Sequence, residues 1–103
     1  RRLCDRLIML QRGHVVDEGL PEEMVLKLVG SEVLELSGGD ESKVTEIVAR
    51  HDTWIRKFGT GYVCGLPEGE LLWQELRRLP ELRLVRRPGN LEDVFLILTG
   101  DRL

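Results

Sequence analysis

The sequence is poor in cysteine, and the cysteines it has do not suggest a disulfide or a metal site. Only Cys4 and Cys64 occur among the 103 residues. They lie far apart, without the spacing of a secreted disulfide framework or a zinc knuckle, so reduced thiols are expected. His14 and His51 bring the possible zinc ligands to four, but these do not form the closely spaced pairs that a structural zinc site uses. We therefore expect no metal site.

The sequence also lacks a long apolar run and an excess of positive charge. A helix needs about 20 consecutive apolar residues to cross a bilayer, and no run approaches that length. Arg1 and Arg2 are not followed by the apolar region of a signal peptide. The formal net charge is -3, whereas a general nucleic-acid binder needs an excess of Lys and Arg to neutralise phosphates. We therefore expect a soluble chain with no nucleic-acid partner.

What is present is the composition of a globular protein. Apolar residues make up 42% of the chain and charged residues 32%, which is enough for one modest core at this length. The apolar run at residues 7–10 and the valines within residues 14–18 predict two strands joined by a turn. A helix should follow, with Pro21 at its first position and Gly30 at its end.

From residue 32 onward the pattern predicts a second unit. Gly59-Thr60-Gly61 lies between two short β-type runs, which is typical of a hairpin, and it lacks the lysine and the following helix of a phosphate-binding loop. The predicted elements are a strand at 33–36, a helix at 41–50, strands at 54–58 and 62–66, a helix at 69–79 and a strand at 82–87. This βαββαβ order predicts an α+β domain of ferredoxin-like fold, and we place its boundary with the first unit at residues 30–31.

A final helix is predicted after the Pro88-Gly89 break. Asn90 can cap this helix by accepting a hydrogen bond from the amide near Asp93, and Gly100 stands just past its end. The helix is apolar on almost all sides, so more than one of its faces should be covered. Its core face is expected to hold Leu91, Val94, Phe95 and Leu98, with Leu96 and Ile97 on the other side. All six are candidate interface residues, and the last two either complete the core or contact a partner.

Both ends of the chain resemble a known family. Residues 2–23 resemble the segment after the switch histidine of ABC ATPases, in which a helix ending in Cys or Ala, Asp and Arg leads to a strand, a Gly turn, a second strand and Gly-Thr-Pro. Here Leu20 replaces the usual threonine. Residues 90–100 read NLEDVFLILTG, which is similar to the closing signature of the ATP-binding subunits of drug-resistance and related type-2 exporters. Those proteins carry an accessory C-terminal domain between the two segments.

The resemblance implies a longer parent chain. Residues 1–30 would be the tail of an ABC ATPase domain, and residues 31–103 would be the accessory domain. The residues that bind ATP and Mg²⁺ would all lie before Arg1, so no catalytic or cofactor-binding residue is expected in this chain. The implied partners are a second ATP-binding subunit and a membrane-spanning permease, with the complex at the cytoplasmic face of the membrane. The apolar strand at residues 7–10 would be left exposed, so we expect the chain to self-associate.

The leading functional hypothesis is therefore a non-catalytic module for subunit association, docking or regulation of export. A small-molecule-binding regulatory domain of ferredoxin-like fold is the alternative. An RNA-binding domain of the same strand order is disfavoured, because Tyr62 is the only aromatic residue where bases should stack. The basic residues Arg77, Arg78, Arg83, Arg86 and Arg87 could face lipid headgroups or an acidic partner, although such clusters are more often a solvated rim.

Overall fold

The computed structural model describes residues 7–11 and 14–100 of the chain. Within these ranges it contains six strands and four helices, the first of which continues as a π-helix. The strands are β1 (Leu7–Gln11), β2 (His14–Gly19), β3 (Glu32–Gly38), β4 (Ile55–Phe58), β5 (Gly61–Gly65) and β6 (Leu82–Pro88). The helices are α1 (Pro21–Met24) with its π-helical continuation (Val25–Val29), α2 (Glu41–Ala49), α3 (Leu71–Arg77) and α4 (Leu91–Thr99). No helix of the described ranges combines the length and the apolar character that a bilayer crossing requires.

The first unit has the predicted order of hairpin and helix. Strands β1 and β2 pair antiparallel, with Gln11 opposite His14 at the turn. Helix α1 begins with Pro21, whose fixed φ suits the first helical position, and it ends after the π-helical segment at Gly30, where φ is 99°. The hairpin and the helix boundaries are confirmed, whereas the π-helical geometry of Val25–Val29 was not predicted.

The second unit contains the predicted succession of strand, helix, strand, strand, helix and strand. Its four strands form one antiparallel sheet with the spatial order β4-β5-β3-β6. Both β3 and β5 are central strands, and the shorter β4 and the longer β6 lie at the edges. The mixed architecture with a four-stranded antiparallel sheet is therefore confirmed.

Helices α2 and α3 cover one face of this sheet. Their buried residues recur at helical spacing and meet the alternate residues of β3 and β5 that point to the same side. Asp40 caps α2 by accepting hydrogen bonds from the amides of Ser42 and Lys43. The buried residues of this core are Leu34, Leu36, Val44, Ile47, Val48, Cys64, Leu72 and Leu76.

A second core lies on the opposite face, under α1, its π-helical continuation and α4. Its buried members are Met24, Val29, Val33, Val63 and Val94. Trp54 donates a hydrogen bond from Nε1 to the carbonyl oxygen of Val29 at 3.0 Å, which ties the loop before β4 to the end of the π-helix. Residues 21–29 thus pack directly on the sheet of the second unit. The domain boundary at residues 30–31 remains a prediction.

Helix α4 has the predicted cap. The Asn90 side chain accepts from the amide of Asp93 at 3.0 Å, and the Asp93 carboxylate accepts from the amide of Asn90 at 2.9 Å. This capping box satisfies two amides that the helix itself leaves free. Gly100 follows the last turn, as predicted.

The core face of α4 was assigned wrongly for Phe95, which was expected there and is 45% exposed. Leu96 and Ile97 were expected on the other side, and both pack against the second core. The reason is that α4 contacts the sheet on one flank and the π-helical segment on the other, so its buried arc is centred on Val94. Phe95 falls outside that arc.

Candidate interaction surface

The second face of the sheet is only half covered by helices. The half of this face around Val33 and Val63 lies under α1 and α4. The strand registers place Glu35 opposite Val85, Ser37 opposite Arg83, and Phe58 opposite Gly61 on this same face. We name this uncovered region the open sheet face; it comprises Glu35, Ser37, Phe58, Gly61, Arg83 and Val85.

The walls of the open sheet face are apolar. Phe58 on edge strand β4 is 60% exposed, and Val85 on edge strand β6 is 53% exposed. A cleft of about 400 Å³ lies between these edges, and a second cleft of about 330 Å³ continues from it towards α4. Leu96 lines the second cleft together with Phe58 and Val63. Leaving such side chains in water forgoes about 1.5–3 kcal/mol for each full burial, so a covering partner would be stabilising.

The floor of the cleft is formed by small residues. Gly61 lies on β5 beside Ser37 on β3, and a Cβ at Gly61 would collide with the carbonyl oxygen of Leu36. The structure therefore requires glycine at this position, where β3 and β5 approach closely and Gly61 is buried. We call the cleft of about 400 Å³ between Phe58 and Val85 the hollow.

Charged residues border this hollow. Arg87 forms a bidentate pair with Asp93, with both nitrogen–oxygen distances at 2.8 Å, and its Nε also donates to Glu35. Hydrogen bonding to Asp93 raises the pKa of Arg87 above its usual value. This network fastens the start of α4 to β6. Arg83 is exposed and makes no ion pair with any residue that the structure describes.

The six residues predicted as an interface occupy three environments. Leu91, Ile97 and Leu98 pack against the second core beside the buried Val94. Leu96 also contacts this core and borders the cleft, so it reaches the edge of the open sheet face. Phe95 is exposed on α4.

Sequence reasoning missed Phe58 and Val85 and placed Arg83 in a single basic cluster. The alternation of side chains along β6 could have predicted this exposed face, because successive residues of a strand point to opposite sides of the sheet. One side carries Leu82, Leu84 and Arg86, and the other carries Arg83, Val85 and Arg87. The structure divides the basic cluster accordingly. Arg86 pairs with Glu32 and Glu70 and lies 5.4 Å from the ring centroid of Trp73. Arg87 lies on the opposite face of the sheet, where it pairs with Asp93.

Side chains with reactive potential lie elsewhere. Cys64 is fully buried in the first core, and desolvation raises the pKa of its thiol to about 12. His51 Nε2 and Glu75 Oε1 form a short contact of 2.5 Å between the ends of α2 and α3. Within the described ranges, no three His, Cys, Asp or Glu side chains come together as a metal site would need.

Comparison with known proteins gives one family. The model for the C-terminal domain of the nodulation factor export protein NodI matches residues 46–100. The "Nod factor export ATP-binding protein I" of Rhizobium etli is 40% identical over 99 residues, which cover 96% of this chain and 31% of that protein. The protein of the same name from Mesorhizobium japonicum is 39% identical over 99 residues (96% of this chain, 29% of that protein), and that of Rhizobium meliloti strain 1021 is 38% identical over 102 residues (99% and 30%).

The chain thus spans about a third of the length of the curated relatives it matches. No solved structure gives a significant match. The family match covers more than half of the chain, including both edge strands of the sheet and all of α4. The chain belongs to the family of NodI C-terminal domains, the C-terminal region of an ABC transporter ATP-binding subunit.

Proposed function

We propose that the chain is the non-catalytic accessory domain of an ABC exporter and that it holds the ATP-binding subunit to its partners. The observation that carries this proposal is the open sheet face, where Phe58 and Val85 remain exposed beside a hollow. Apolar side chains that are left exposed together on one sheet face commonly mark interaction sites.

The chemistry of the described residues supports a binding role. The Cys64 thiol, with its raised pKa and full burial, is a poor nucleophile. The polar side chains of the open sheet face border a shallow and widely open cleft instead of converging on a substrate-sized pocket. ATP and Mg²⁺ would bind the remaining part of the complete protein.

The proposed partners are a second ATP-binding subunit and the membrane-spanning permease. This arrangement would place the domain in the cytoplasm, held at the inner face of the membrane through the complex. Relatives that bear the name of Nod factor export suggest a related export function for the complete protein. We also assign the ferredoxin-like fold to the sheet and its two covering helices, on the basis of the strand order β4-β5-β3-β6.

The test compares two exposed apolar residues in the complete ATP-binding protein assembled with its permease. Phe58→Ser removes an apolar wall of the open sheet face, whereas Leu71→Ser changes a residue that is 70% exposed at the start of α3, on the opposite side of the sheet. We expect Phe58→Ser to reduce co-purification of the subunits and ATP-dependent export, and Leu71→Ser to leave both unchanged. Equal behaviour of the two variants would contradict an interaction role for this face.

A further inference from the structure

We propose that the occupant of the open sheet face is helix α4 of a second copy of this chain, bound reciprocally about a two-fold axis. The inference deepens the proposed function, since it names the partner of the same surface. It is carried by the fit between two exposed features of one molecule, the open sheet face and the outward side of α4 around Phe95.

The position of α4 on its own sheet sets the geometry. The helix begins above edge strand β6, where Asp93 pairs with Arg87. It ends above edge strand β4, where the Nε of Arg56 donates to the carbonyl oxygen of Ile97 at 3.0 Å. Thus α4 crosses all four strands and covers one half of the face, and the other half is open.

Consider two such sheet faces opposite each other, related by a two-fold axis that lies between them and runs perpendicular to the strands. This axis places the covered half of each face opposite the open half of the other. The α4 of each copy then lies over the open half of the other, and both helices share one layer between the two sheets. The alternative axis, along the strands, would place the two α4 helices directly against each other and keep the open halves apart. Only the first arrangement covers both open faces, and it is isologous, as most dimer interfaces are.

Side-chain sizes match in this arrangement. Phe95 lies near the middle of α4, two residues after the buried Asp93, and is 45% exposed. In the partner it would lie above the two central strands, where Gly61 and Ser37 form the hollow. Phe58 and Val85 stand on either side of that hollow and would contact the entering ring. Burial of large aromatic and aliphatic side chains at the centre of a patch is typical of interface anchors.

The charges match as well. Glu92 is exposed in the first turn of α4, above β6, and Arg83 is exposed on the open half of β6. Neither makes an ion pair with another residue in the part of the chain that the structure describes. The two-fold exchange brings Glu92 of each copy over Arg83 of the other. A single surface that carries both signs in exchangeable positions is self-complementary.

Charge reversal in the complete ATP-binding protein tests the pairing. Arg83→Glu and Glu92→Arg each create a like-charge contact at both symmetry-related positions, so we expect each single variant to lose self-association by at least about tenfold. A mixture of the two single variants is expected to form heterodimers at close to the wild-type affinity, because each Glu then meets an Arg. Sedimentation velocity of the separate and mixed proteins, with one variant fluorescently labelled, measures this. Lys43→Glu on α2 is the control for a change of surface charge, and it should leave self-association unchanged.

The outcomes separate this inference from the proposed function. Restoration in the mixture supports the reciprocal dimer. Single variants that associate as the wild type does, or a mixture that shows no restoration, would overturn it. If the reversals instead weaken co-purification of the permease and leave self-association intact, the second copy is excluded while the interaction role of the face stands. If neither association changes, and Phe58→Ser is also without effect, both proposals fail.

Discussion

Arg87 and Asp93 join the edge of the sheet to the first turn of α4 through two parallel hydrogen bonds of 2.8 Å each. The Asp93 side chain is only 3% exposed, and its carboxylate also accepts from the amide of Asn90. One carboxylate therefore holds both the cap of α4 and the contact of α4 with the sheet.

The first prediction concerns this carboxylate. Asp93→Asn removes the charge and leaves the guanidinium of Arg87 with Glu35 as its one remaining carboxylate partner among the described residues, so we expect a loss of about 3 kcal/mol, the lower end of the range for breaking a buried pair. The matched control is Glu92→Gln, one residue earlier and exposed, for which we expect a change within about 0.5 kcal/mol. Urea unfolding of both variants gives the comparison. Similar midpoints for Asp93→Asn and the wild type would show that the pair contributes little.

The second prediction concerns the core between α3 and the sheet. Leu76 is fully buried and Leu71 is 70% exposed on the same helix. Leu76→Ala should leave a cavity and cost about 2–5 kcal/mol of unfolding free energy. Leu71→Ala should be nearly neutral, because it removes no buried contact and alanine favours helices. Thermal and urea unfolding of the pair measure the difference, and an equal loss in both variants would contradict the burial of α3.

The order of the helices and strands and several of their ends were predicted from the sequence, because local residues determine them. Glycine, proline and cap residues are local signals, so the cap at Asn90 and the end of the first helix at Gly30 were predicted correctly. The bounds of the third helix were less accurate, since α3 spans Leu71–Arg77 and not residues 69–79. Hydrophobic periodicity predicts which face of a helix or strand is buried, but it does not predict how many other helices and strands pack against that element.

The errors at the candidate site arose because the sequence does not show which helices cover each face of the sheet. Helical periodicity alone places Phe95 on the same face of α4 as Val94. The face that is actually buried depends also on the π-helical segment, whose position relative to α4 is defined only in the folded chain. The open sheet face was missed because Phe58 and Val85 are ordinary strand residues in sequence. Whether a strand residue is covered depends on the path of α4 across the sheet, which no local pattern specifies.

The third prediction concerns acid stability. The hydrogen bond from His51 lowers the pKa of Glu75 below its ordinary value of 4.5, with further support from the charge of Arg50. A carboxyl group whose pKa is depressed by folding stabilises the protein above its unfolded-state pKa, and this contribution is lost as the pH falls through the folded-state pKa. Glu75→Gln should therefore unfold at a lower temperature than the wild type near neutral pH, and the two should converge well below pH 4.5.

The control for this experiment is Glu46→Gln on the exposed side of α2, whose melting temperature should follow that of the wild type at every pH. Thermal melting across the pH series measures all three proteins. A constant difference between Glu75→Gln and the wild type, independent of pH, would show that the contact acts through packing and not through the charge of Glu75.

The fourth prediction concerns Cys64, which has no exposed surface and whose thiol pKa is raised to about 12 by burial. Thiolates, and not thiols, attack disulfide reagents, so the folded protein should protect this residue for two independent reasons, a low thiolate fraction and no access. In a Cys4→Ser background, which leaves Cys64 as the only thiol, we expect an aromatic disulfide reagent to react in buffer only through the globally unfolded fraction and to react immediately in concentrated guanidinium. Destabilising the core with Leu76→Ala should accelerate the reaction in buffer by the factor by which it raises the unfolded fraction, when opening and closing are fast relative to labelling. Rapid labelling of the folded wild-type core, unaffected by Leu76→Ala, would mean that β5 opens locally, and the first core would then be less cooperative than its packing indicates.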